Sequence, residues 1–233
     1  MKRTLVGLIA VIVILLTTPA WGGDKEKDDD TLKNSAKVLQ EMLESKSVPS
    51  SLLAKANCVM VLPAVKKVGF GIGGGGGRGP MTCRTGKDFK GKWSAPAMFS
   101  IGGISAGLQV GVSSRDFLLL IMSEKGMDTI LKGKTKLGND ASVAAGPSGA
   151  TTAHPITADV VSYGRAKGMF AGTSISGASL EEDNDANKRL YGKQISARDV
   201  VQGNAVRATA GGEQLITVLN SNVVKQSKAA SKK

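Results

Sequence analysis

NCVMVLPAVKKVGFGIGGGGGRGPMTCR, residues 57–84, is the stretch that decides the fold. Short apolar runs broken by glycine are the punctuation of an antiparallel sheet. The pattern predicts strands over Cys58–Val65, Val68–Gly73 and Gly79–Arg84, with the glycine run between the last two as a hairpin or flexible loop. Downstream, Ile104, Ala106, Leu108, Val110 and Val112 alternate without exception with Ser105, Gly107, Gln109, Gly111 and Ser113, a period of two that marks a strand with one face in the core. Glycine weakens a strand interior, so its repeated use predicts either a close approach to the backbone or tight sheet curvature.

Further strands are predicted at 97–101, 117–122, 141–145, 160–165 and 169–175. Upstream, Leu32, Ala36, Leu39 and Leu43 recur at steps of three and four, an amphipathic helix from Thr31 to about Lys46. Pro49 ends it, and Ser50 caps a short helix to Ala56. Helices are also predicted at 124–131, 184–190 and 213–225. The expected fold is α+β: a curved antiparallel sheet, tending towards a barrel, packed with N-terminal and C-terminal helices.

The 233 residues carry 31 Lys and Arg against 19 Asp and Glu, a net charge of +12. Hydrophobic residues make up 41% but aromatics only 4%, so the core is aliphatic. One histidine, His154, rules out a site built on two imidazoles, and two cysteines cannot form a four-thiolate zinc cluster. No cofactor or metal is expected.

Lys2 and Arg3 precede an apolar run from Leu5 to Leu16, then Ala20-Trp21-Gly22, which reads as a secretory signal over residues 1–22. The alternative is an uncleaved anchor, although the run is shorter than the roughly 20 residues a membrane span needs. Residues 23–30 form a charged, mobile lead-in, 31–224 the folded domain, and 225–233 a basic tail. Loss of Lys2 and Arg3 takes the charge from +12 to +10. An exported protein, periplasmic or secreted, does not meet chromosomal nucleic acid, so the polyanion it meets is an anionic lipid surface or an envelope polymer, unless the charge serves solubility alone. In an oxidising compartment Cys58 and Cys83 can form a disulfide.

Several motifs fail on context. Gly69-Phe70-Gly71-Ile72-Gly73-Gly74 satisfies a dinucleotide count, but no helix follows to hold a pyrophosphate. Gly133-Lys134-Thr135 lacks the earlier glycine of a phosphate loop, which is Asp128 here. Asp183, Asp185 and Asn187 begin a calcium loop that lacks its glycine and its final glutamate. No nucleophile elbow accompanies His154. Catalysis is not expected.

The basic residues do cluster. Lys66 and Lys67 precede the glycine run, Arg78 lies within it, Arg84 and Lys87 follow, and Arg165 and Lys167 form a later group. Near an anionic leaflet each contributes about 1 kcal/mol. These are the candidate lipid-binding residues, with Phe70 or Met81 entering the acyl boundary.

Ala56-Asn57-Cys58-Val59-Met60-Val61-Leu62-Pro63, Lys66 to Gly73, Trp93-Ser94-Ala95-Pro96, Gly102 to Gly111, Asp116 to Leu120, Ala144 to Gly149, and Ser162-Tyr163-Gly164-Arg165-Ala166-Lys167-Gly168 to Gly172 follow one another in an order that resembles the SYLF domain, a family related to the Ysc84-type actin-binding domain. The likeness covers about residues 31–212 and implies a lipid-binding, non-enzymatic domain; the basic residues add the expectation that it attaches to anionic phospholipid at a membrane surface. Actin is not an expected partner of an exported protein. A second expectation, of a different class, is an envelope protein or polymer partner received on the glycine-rich face.

Overall fold

Where the pattern predicts three short strands between Cys58 and Arg84, the chain forms two long ones, β1 (Cys58–Phe70) and β2 (Ile72–Cys83), paired antiparallel. The glycine run is therefore a strand, and the close approach its glycines suggested is real. A Cβ on Gly79 would stand 2.0 Å from the Val61 carbonyl oxygen, and one on Gly77 2.9 Å from the Val65 side chain. Gly74, by contrast, has nothing within 4 Å of that position. The computed structural model describes residues 21–70, 72–103, 110–147, 157–166, 169–173 and 175–230. Ile104–Gln109, His154, Lys167 and the expected signal up to Ala20 lie outside the described residues.

The remaining strands are β3 (Ala97–Gly102), β4 (Val110–Ile121), β5 (Thr135–Lys136), β6 (Val143–Ala145), β7 (Val160–Ala166), β8 (Met169–Gly172) and β9 (Ser179–Glu182). Among the described residues they form one strongly curled half-barrel sheet in the order β5-β9-β3-β2-β1-β4-β7-β6, with β8 paired to β7. Its pairs are antiparallel except β6 and β7, which run parallel. The helices are α1 (Trp21–Glu44), α2 (Ser50–Lys55), α3 (Glu124–Ile130), α4 (Asn184–Tyr191), α5 (Ala197–Gln202) and α6 (Ala210–Ala230). The fold is α+β.

Each sheet face has its own core. On one face Val59, Val61, Leu118, Leu120 and Tyr163 pack against Leu39 and Met42 of α1, Leu52 and Leu53 of α2, and Leu215 and Leu219 of α6. On the other, Met60, Leu62, Val65, Met81, Phe99 and Leu119 enclose Met127 of α3 and Val200 and Val201 of α5. Cys58 and Cys83 lie directly opposite across the β1–β2 ladder in this second core and are joined by a disulfide.

A bulge divides β1. Leu62 pairs with Phe117 and Val65 with Arg115, so β1 has one residue more than β4 over that interval. It falls at Pro63, which has no amide hydrogen for the ladder, and at Ala64, whose φ of +51° lies in the left-handed region and not in extended backbone. The Ala64 amide donates instead to Asp116 Oδ1 at 2.8 Å. The extra residue returns Val65 to the face of Leu62 and turns Lys66 to the α1 side.

Two expectations are corrected. Asp24–Asp30 is not a mobile lead-in but the opening of α1, with Asp28 only 1% exposed. Its carboxylate accepts hydrogen bonds from Arg78 on β2 and from Arg189 Nε on α4, the latter at 2.7 Å. Asp29 accepts from Thr209 Oγ1 and, at 2.9 Å, from the Gly211 amide at the start of α6. The last helix likewise runs past its predicted end at residue 225, to Ala230.

Candidate functional site

β3 pairs with β2 from Gly77 to Met81, and β7 pairs with β4 from Asp116 to Ile121. Beyond those rows, the described register contains only β2, β1 and β4, a three-stranded ribbon over Lys66–Phe70, Ile72–Gly76 and Val110–Ser114. At about 3.3 Å per residue its five rows extend roughly 15 Å. Val68 and Val112 face each other in this register and are 53% and 73% exposed, the two exposed large hydrophobic residues among those described. The row two residues farther out is Val110, Phe70 and Ile72. Val112 thus departs from the expectation that its face of the strand packs in the core.

Cations ring the base of the ribbon. Lys66 is exposed on the α1 side. Lys67 is half-buried on the opposite face, where a Cβ on Gly75 would meet its Cγ. Burial first, and then the neighbouring Arg115 guanidinium, lower the Lys67 pKa.

Between α1 and the ribbon lies a cleft of about 560 Å³, to which Lys37, Lys66, Arg78 and Arg165 contribute cations and Glu41 and Asp116 carboxylates. Arg165 is clamped: its Nε donates to Asp116 Oδ2 at 2.7 Å and its Nη1 to Glu41. Burial opposes its charge, but these two carboxylates outweigh it and raise its pKa. Arg78 is held by Asp28 and, at 3.2 Å, by Asp183. Both arginines are spent on joining elements of the fold. Lys37 and Lys66 make no ion pair with a described residue.

The structure does not gather all the sequence candidates on one face. Lys66, Arg78 and Arg165 share the α1 cleft, whereas Arg84 and Lys87 line a separate one of about 530 Å³ with Asn57, Asp88 and Glu124. Arg84 lies six residues beyond Arg78, about 20 Å along the strand direction. Its guanidinium stacks 4.4 Å from the centroid of Trp93, and burial lowers its pKa. Met81 is fully buried beside the disulfide, so it is a core residue and not a membrane contact. Phe70 occupies the outermost β1 row, and Lys167 is outside the described residues. Sequence reasoning missed Val68, Val112, Lys37 and Arg115. The available signal was the glycine facing these valines in the pattern: a strand whose partner has no side chains has little with which to cover them.

Among the described residues no helix is long and apolar enough to cross a membrane, and no cluster of three His, Cys, Asp or Glu side chains is placed to hold a metal.

Residues 102–222 match the Ysc84 family, described as Las17-binding protein actin regulator. The rat SH3 domain-containing YSC84-like protein 1 is 32% identical over 201 residues, which cover 81% of this chain and 58% of that protein. Protein YSC84 of Saccharomyces cerevisiae is 31% identical over 203 residues, covering 81% and 42% respectively. LAS seventeen-binding protein 3 of the same species is 30% identical over 203 residues, covering 81% and 43%. The chain thus spans about half the length of these relatives. A family match over more than half of its residues, spanning the ribbon strand β4, the helices α4 and α5 and the first part of α6, makes this chain a member of the Ysc84, or SYLF, family.

Proposed function

We propose that the chain is a non-catalytic docking domain that attaches to an anionic phospholipid surface through the base of the β2–β1–β4 ribbon, and that it does so as an exported, periplasmic or secreted protein. The observation that carries this reading is the collar of Lys66, Lys67 and Arg115, with Lys37 alongside, around an otherwise uncharged glycine-rich ribbon. Arg78 and Arg165, neutralised by carboxylates, are left out of it, as are Arg84 and Lys87 in their separate cleft. The disulfide supports an oxidising compartment, which agrees with the N-terminal pattern of Lys2, Arg3 and the apolar run that follows.

Three cations near an anionic leaflet contribute about 1 kcal/mol each, sufficient for reversible, salt-sensitive adsorption without a deep pocket. Cosedimentation with vesicles containing phosphatidylglycerol tests this. Binding should exceed that to phosphatidylcholine vesicles, weaken as salt rises, and fall about fivefold for each charge removed in Lys66→Gln and Arg115→Gln. Equal binding to neutral vesicles, or none to either, refutes it. The relatives named for Las17 binding favour a second reading, in which the ribbon receives a protein partner; crosslinking that yields one stoichiometric protein with no lipid dependence would support it instead.

A further inference from the structure

The valine pair at the ribbon end is not accounted for by charge. Val68 and Val112 oppose each other at 53% and 73% exposure, the two exposed large hydrophobic side chains among those whose burial is described. The strand beside them offers Gly73 to Gly77, with no side chains to shield them. One residue back towards the body from Val68 stands Lys67, two residues back Lys66, and three back from Val112 Arg115. A strand rises about 3.3 Å per residue, so the apolar pair leads the backbone positions of Lys67, Lys66 and Arg115 by about 3–10 Å. That interval matches the depth of about 5–10 Å at which interfacial elements bury apolar side chains below the headgroups.

We infer that the end of the β2–β1–β4 ribbon penetrates the surface leaflet of an anionic bilayer, with Val68 and Val112 at the acyl boundary and Lys66, Lys67 and Arg115 at the level of the lipid phosphates. This rests on the lipid reading above and adds to it an insertion step and the residues that make it. Insertion is shallow by necessity. β1 lies between two strands, whereas the outer edges of β2 and β4 in these rows have no ladder partner among the described residues, and an unpaired edge needs water or headgroups. The occupant is lipid because the cationic collar complements an anionic surface on both faces of the ribbon at once, which a groove on a single protein partner would have to enclose.

The double variant Val68→Ser/Val112→Ser tests the step, since both side chains are exposed and its melting curve should overlay that of the parent. Injected beneath phosphatidylglycerol monolayers, the parent should raise surface pressure and the variant should not. At a salt concentration that screens the collar, the variant should bind phosphatidylglycerol vesicles about tenfold or more weaker than the parent, from the apolar area no longer transferred. If the variant raises the pressure as the parent does, or if the parent cosediments with vesicles without raising it, insertion is overturned while adsorption stands. If the parent does not bind anionic vesicles at all, the lipid reading itself fails. A dimer in lipid-free solution that the double variant abolishes would assign the valines to a second copy of the chain and overturn the inference.

Discussion

Replacing Asp28 by Asn should destabilise the protein far more than its place in a charge-rich N-terminal segment implies. The carboxylate is 1% exposed and sits between the guanidiniums of Arg78 and Arg189, so it ties α1 to β2 and α4 together. The amide keeps the shape, removes the charge, and turns an N–H pair towards groups that can only donate. Removing one partner of a fully buried pair costs about 3–5 kcal/mol. Arg78 is 40% exposed and retains Asp183, and Arg189 is 25% exposed, so water and the remaining carboxylate recover part of this. A loss of about 2–3 kcal/mol follows, and for a domain of this size each kcal/mol lowers Tm by about 2–4 °C. Urea and thermal unfolding followed by circular dichroism would measure it, with Asp24→Asn as the control. The Asp24 pair with Lys27 is exposed on both sides, and its loss should change stability by no more than about 0.5 kcal/mol. A Asp28→Asn variant as stable as that control would refute the view that α1 is clamped to the sheet through this carboxylate.

The glycine run should split under substitution. Gly79→Ala drives a methyl into the Val61 carbonyl and should cost about 2 kcal/mol or more, whereas Gly74→Ala meets open space and should stay within about 0.5 kcal/mol; equal effects in denaturant melts would contradict the close packing of β1 on β2. Acid should also weaken the fold in a defined window. Hydrogen bonds from Ser123 and Ser142 outweigh burial and hold Asp159 below its ordinary 3.8, and although burial opposes ionisation of Asp29, Thr209, Gly211 and Lys33 together outweigh it. A carboxyl with a lowered folded pKa contributes stability above its unfolded value and loses it as pH falls through the folded one. The urea midpoint should therefore be flat from neutrality to about pH 5 and drop below about pH 4, with a shallower drop in Asp159→Asn; an unchanged slope in that variant would dissociate Asp159 from the effect.

The local signals in this chain are strong where the environment is local. The steps of three and four through Leu32, Ala36 and Leu39 place α1 against the sheet, and the alternation ending at Val112 marks a strand. What fails is whatever depends on a distant partner. Asp28 reads as solvated because its guanidiniums lie 50 and 161 residues away. Residues 74–78 read as a hairpin or loop because glycine has poor strand propensity, a preference overridden by β1 and β3 pressing on that backbone. The strand predicted through Pro63 does continue there, but by a bulge that the local pattern does not mark, with the Ala64 amide reaching Asp116. The same distance effect divides the candidate site. Charge picked out Lys66 and Lys67, but it also picked out Arg78 and Arg165, whose carboxylate partners a linear pattern does not reveal. Val68 and Val112 look like core residues by composition, but in their row the strand beside Val68 offers only Gly74, and the described pairings of β3 and β7 stop short of it.

The link between Cys58 and Cys83 has a further consequence for the ribbon. Five glycines in succession give β2 almost nothing by which to distinguish one alignment on β1 from another, and such strands are prone to slip. A slide of two residues would preserve the backbone bonding of that stretch while carrying the hairpin end about 6.6 Å along its neighbour. The covalent tie at the far end, its two Cα atoms 3.9 Å apart in one row, acts as an index pin against that slide. Reduction would then release the alignment as well as the crosslink, leaving a hairpin that still pairs but no longer presents its end at one fixed height.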